Sequence, residues 1–83
     1  MATISVELLA DQWTVIGTGA GLLENNQTED AIIHFGDAEP TDPYAHHVLQ
    51  NDKSLEIFSG SQTIYGRPRT AGKSARVVFT DLA

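Results

Sequence analysis

No stretch of this chain sustains the apolar spacing of a helix; its hydrophobic residues come in short runs, each cut off by turn chemistry. Thr3 to Leu8 alternates, with Ile4, Val6 and Leu8 on one side and Thr3, Ser5 and Glu7 on the other, the period-2 signature of a half-buried strand. Further strands are expected at Trp13 to Ile16, Leu22 to Asn25, Ala31 to Phe35, His47 to Leu49, Leu55 to Phe58, Gln62 to Tyr65 and Ala75 to Thr80. Between them lie an Ala-Asp-Gln turn, the polar run NNQTED, the loop GDAEPTDP, turns at Asn51-Asp52-Lys53 and Ser59-Gly60-Ser61, and a basic loop GRPRTAGK. Roughly seven or eight short strands at this spacing predict one all-β domain over residues 1–83, a small antiparallel β-sandwich or jelly-roll-like barrel.

A domain of 83 residues has little core to spare, since at this size only about 60% of the unfolded chain's surface is buried. Small folds usually compensate with disulfides, a structural metal or association. With 0 cysteines the first route is closed, as are thiolate metal sites, so self-association is the expected source of extra stability. No segment approaches the roughly 20 apolar residues that span a bilayer, and MATISVELLADQW lacks the regions of a signal peptide. The expectation is a soluble chain made in the cytoplasm.

The formal charge of −6 disfavours nonspecific contact with nucleic acid or anionic membranes. It is also unevenly placed: of the 11 acids all but Glu56 and Asp81 precede the first base, Lys53, and the other bases, Arg67, Arg69, Lys73 and Arg76, crowd residues 67–76. Such polarity suits either oppositely charged solvated loops or acidic and basic patches that meet between chains.

VIGTGAG, residues 15–21, imitates a dinucleotide-binding turn. The fingerprint needs G-x-G-x-x-G opening a helix, whereas here the glycines are Gly17, Gly19 and Gly21, position 22 is Leu22, and LLENNQTED carries no helical stripe. Asp37, at the distance of a ribose-binding acid, is followed by a proline loop and more β-structure. The stretch reads as a β-corner whose glycines allow positive φ or close contact with Trp13 or a neighbouring chain.

Other constellations are equally thin. Adjacent His46 and His47 point to opposite faces of an extended chain, and neither they nor His34 sit in H-E-x-x-H or H-x-E spacing. Asp37, Glu39 and Asp42 could offer oxygens to calcium, but prolines interrupt them and the EF-hand pattern is missing. There is no G-x-S-x-G elbow, and so small a domain has no room for a water-excluding sugar cleft. No enzyme, cofactor or metal is expected.

What remains is surface. In Ala31 to Phe35, Ile32 shares a face with His34, opposite Ile33 and Phe35; in the last strand Val78 shares one with Arg76, opposite Val77 and Phe79. These second-face residues, with Tyr65, Arg67 and Arg69 of YGRPRTAGKSAR, give an expected contact set of Ile32, Val78, Tyr65, Arg67, Arg69 and Arg76. Trp13, Phe35 and Phe79 read as core, which leaves too few exposed aromatics for a reader of single-stranded nucleic acid.

Taken in order, WTVIGTGAGLLENN, AIIHFGDAEPTDP, HHVLQNDKSLEIF and TIYGRPRTAGKSARVVFTD resemble small all-β virion proteins of tailed bacteriophages. The resemblance covers nearly the whole chain and is one of pattern, with no catalytic or ligand motif to carry over. It implies a non-enzymatic structural protein of the virion, made in the host bacterial cytoplasm. It would act as a capsid decoration or cement protein, associate with itself, most often as a trimer, and contact the major capsid or other virion proteins. The alternative is a carbohydrate-binding or receptor-contact module of a tail fibre, with Trp13, Tyr44 or Tyr65 as a stacking platform.

Overall fold

In a computed structural model, which describes residues 2–41, 46–57 and 62–82, the chain is all-β, with no helix among the described residues. Its strands are β1 (Ala2–Leu8), β2 (Thr14–Thr18), β3 (Gly21–Asn25), β4 (Ala31–Gly36), β5 (His47–Leu49), β6 (Lys53–Ile57), β7 (Thr63–Pro68) and β8 (Ala75–Asp81). They form two antiparallel sheets of 4 strands, in the orders β1-β8-β3-β6 and β2-β7-β4-β5. Each strand is bonded to its mirror image in sequence, β1 to β8, β2 to β7, β3 to β6 and β4 to β5. The chain is thus one long hairpin rolled over on itself, the topology of a jelly roll.

Alternation decides what lies between the sheets. Leu8, Leu23, Ala75, Val77 and Phe79 from the first sheet meet Ile16, Ala31, Ile33, Leu49 and Ile64 from the second, all buried. Val6, Phe35, Leu55 and Ile57 pack partly buried around them. Burying a side chain of this kind contributes roughly 1.5–3 kcal/mol, which makes this set the main source of stability.

The glycine-rich corner makes room for one ring. Gly19 takes φ 86°, which only glycine adopts readily. Gly17 and Gly21 flank Phe79: a Cβ on Gly17 would lie 2.8 Å from its Cε2, and one on Gly21 2.5 Å from its Cε1. The close contact is therefore with Phe79, not with Trp13. A bulge between Val15 and Gly17 turns both Ile16 and Gly17 inward. Ile16 Cδ1 then fills the space over Gly66, 2.6 Å from where a Cβ would be.

The expected basic loop begins later than its sequence suggests. Gly66, Arg67 and Pro68 continue β7, opposite Ile33, Ile32 and Ala31. Proline is tolerated because Arg69 N–H donates to Asp30 O at 3.0 Å on the β4 side, so by alternation Pro68's nitrogen faces the other way. On that side β2 has already ended, its pairing starting at Thr14 opposite Gly66. The expected turn at Asn51-Asp52-Lys53 is present, with Lys53 N–H donating to Gln50 O at 3.2 Å and Asp52 at φ 60°. The expected turn at 59–61 lies outside the described residues.

Candidate contact face

The two outer faces of the sandwich differ in chemistry. On the first sheet Thr3, Ser5 and Glu7 of β1 stand opposite Thr80, Val78 and Arg76 of β8. Polar groups there satisfy one another: Thr3 Oγ1 lies 3.1 Å from Thr80 Oγ1, Arg76 Nη1 donates to Ser5 Oγ at 3.2 Å, and Arg76 Nη2 is 3.8 Å from Glu7 Oε1.

The second sheet turns out apolar and aromatic groups. Val15, Tyr65 and His34 form one cross-strand row over β2, β7 and β4; Arg67, Ile32 and Val48 form the next over β7, β4 and β5. Trp13, just before β2, lies edge-on to His34 with centroids 6.2 Å apart, and His34 in turn meets Tyr65 at 6.2 Å. Arg67 places its guanidinium carbon 5.7 Å from the Trp13 ring centroid, a cation–π contact. Val15 is 55% exposed and Val48 43%, while Trp13, Ile32, His34, Tyr65 and Arg67 are half-buried.

At one end this face dips into an open cleft of about 340 Å³, lined by Trp13, Ile32, Thr41, Arg67 and Arg69 among others. Arg69 is held there by Asp30, Nη1 to Oδ2 at 3.1 Å. Asp30 also accepts from Asn51 N–H through Oδ1 at 3.0 Å, so one carboxylate ties the end of β7 to the turn after β5. Asp30 is in turn presented by a short loop that Asn25 pins from inside. Asn25 is fully buried; its Nδ2 donates to Glu29 O at 2.8 Å and Leu49 O at 3.2 Å, and its Oδ1 accepts from Gln27 N–H at 3.1 Å.

Of the expected contact residues, the structure brings together Ile32, Tyr65, Arg67 and Arg69. Val78 and Arg76 lie on the outer face of the opposite sheet, so no single flat contact takes in all of them. Trp13 belongs to the outer face rather than the core, because plain alternation back from the buried Ile16 sets Val15 and Trp13 outside. Val15, His34 and Val48 complete the face; their strands are visible in the sequence, but the register that sets them side by side is not. Phe35 contacts His47, ring centroids 5.8 Å apart, at the opening between β5 and β6. No group of three potential metal ligands is found among the described residues. Asp42 and Tyr44 lie outside those residues.

No family model, characterised protein or solved structure matches the chain.

Proposed function

We propose that the chain is a non-enzymatic structural protein, of the decoration or cement type found on tailed-phage capsids, and that it acts by burying the outer face of β2-β7-β4-β5 against another virion protein. The observation that carries this reading is the contrast between the two outer faces. Trp, Tyr and Arg are the side chains that dominate interface energetics, and Trp13, Tyr65 and Arg67 touch or adjoin one another on one sheet, beside Val15, Ile32 and Val48. The other sheet's outer face carries no aromatic side chain among the described residues; it sets polar pairs along β1 and β8 around the half-buried Val78 and Leu22. Jelly rolls also form viral capsid and lectin domains.

The test is binding of the purified chain to tailed-phage heads at low salt, with its position on the particle read by gold labelling. Ile32→Lys is expected to weaken binding roughly 100-fold, as loss of a central contact does, while Val78→Lys leaves it within a few-fold. A chain that binds no head, or one for which Val78→Lys is the damaging change, would refute the assignment.

The second reading, glycan binding, draws on Trp13 being at once on this face and in the cleft. Arg67 over the Trp13 ring is then the group a sugar displaces. Glycan-array binding that is lost in Trp13→Ala would favour it over capsid contact.

A further inference from the structure

A sandwich of two open sheets has free edges, here β1 and β6 in one sheet and β2 and β5 in the other. An unpaired edge offers its N–H and C=O groups to any passing strand, and proteins blunt such edges with bulges, brevity, proline or charge. Three of the four are blunted. The β2 edge is broken by its bulge at Val15 and Gly17, β5 has only 3 residues, and β6 carries Lys53 and Glu56 within its 5 residues.

The β1 edge has no bulge, brevity or proline. Its 7 residues, ATISVEL, contain no proline and no lysine, and its ladder to β8 runs without a break from Ala2 opposite Asp81 to Leu8 opposite Ala75. Its one charge, Glu7, already lies near Arg76 of its own sheet. Ile4, on the core-facing side of the strand with Val6 and Leu8, is nevertheless 48% exposed. A strand added at this edge would complete the ladder and cover Ile4 together.

We propose that the occupant is β1 of a second copy, paired antiparallel about a two-fold axis at Ser5, so that the two sheets of 4 strands become one continuous sheet. The pattern of β1 is symmetric about Ser5: Ile4 and Val6 flank it, then Thr3 and Glu7, then Ala2 and Leu8. Antiparallel pairing on that axis sets Ile4 against Val6 of the second copy on the inner side and Glu7 against the Thr3 hydroxyl on the outer side. No like charges oppose, and all 7 residues are used. The contact is isologous and closes as a pair, which makes the assembly unit a dimer where the resemblance implies a trimer. It leaves the outer face of β2-β7-β4-β5 free, and its test needs no capsid, so it stands or falls apart from the proposed function.

The chain has 0 cysteines, so single introduced thiols report register without background. Directly opposed residues of an antiparallel pair have Cα atoms about 4.5–5.5 Å apart, within disulfide range. Ser5→Cys is therefore expected to form a covalent dimer under mild oxidation. Thr3→Cys or Glu7→Cys alone would not, their like thiols lying about 13 Å apart across the axis, but a mixture of those two variants would cross-link as a heterodimer. By sedimentation, Ile4→Lys is expected to shift the otherwise unmodified chain from dimer to monomer. The inference is overturned if Ser5→Cys cross-links no faster than a control thiol at Ser54→Cys on β6, or if the chain without substitutions sediments as a monomer at several hundred micromolar.

Discussion

Replacing Gly21 with alanine is expected to lower stability by about 3 kcal/mol or more, the upper part of the range for overpacking a core. The added methyl would lie 2.5 Å from both Phe79 Cε1 and the Thr80 carbonyl oxygen. A ring can turn aside, but the backbone oxygen of a central strand cannot. Gly17→Ala meets only the Phe79 ring, at 2.8 Å and 2.9 Å, and is expected to destabilise by about 2 kcal/mol. The two glycines therefore part company when the ring is trimmed. In a Phe79→Leu background Gly17→Ala should become nearly neutral, while Gly21→Ala stays costly because the Thr80 oxygen remains. A urea-denaturation double-mutant cycle measures both couplings. Equal rescue at the two positions, or strict additivity at Gly17, would show that the corner does not exist to seat Phe79.

The second large effect is expected at Asn25. Asn25→Ala removes three hydrogen bonds made by a fully buried side chain: one, to the Leu49 carbonyl, is buried, and those with the Glu29 carbonyl and the Gln27 N–H are part-buried. A buried group left without a partner costs about 1–3 kcal/mol, so a loss of about 2 kcal/mol is expected, with the Leu49 carbonyl stranded and water able to reach the other two groups. Local release should follow, with faster amide exchange at Gln27 and also at Asn51, whose N–H is held by Asp30 at the far side of the same loop. Asn25→Asp gives a pH signature. A carboxylate facing two carbonyls in a dry site favours its protonated form, raising its folded-state pKa above the unfolded one. That variant should therefore be most stable at acid pH and lose stability as pH rises through the folded pKa. An Asn25→Ala protein within about 0.5 kcal/mol of the parent would be a surface-like result and would deny Asn25 this role.

Local alternation made most of the strands legible. The short segment read around His47, Val48 and Leu49 falls on β5, and Thr3 to Leu8 differs from β1 by one position at its start. Strand β7 reads short because proline and two arginines imitate a loop, and only the early end of β2 makes Pro68 acceptable there. The split of Ile32 from Ile33 and of Val78 from Val77 was also visible, since it follows from period 2 alone. That Ile32 and Val78 belong to opposite sheets was not, because strand order is a long-range property. Trp13 reads as core although alternation from the buried Ile16 sets it outside with Val15, and Asn25 reads as an ordinary strand end because its partners, Glu29 and Leu49, are brought to it only by the fold.

Mirror-image pairing also sets the order in which this protein can be completed. During synthesis β4 and β5 emerge next to each other and can pair early, whereas β1 has no hydrogen-bonded neighbour among the described strands until β8 has left the ribosome. Because β8 lies between β1 and β3 and brings Phe79 with it, the centre of this sandwich is sealed only when β8 arrives. Closing nearly the whole length of chain in that step carries the loop entropy that makes such topologies slow to fold. Through that interval ATISVEL stays open on both sides, and a crowded nascent pool offers it many copies of itself.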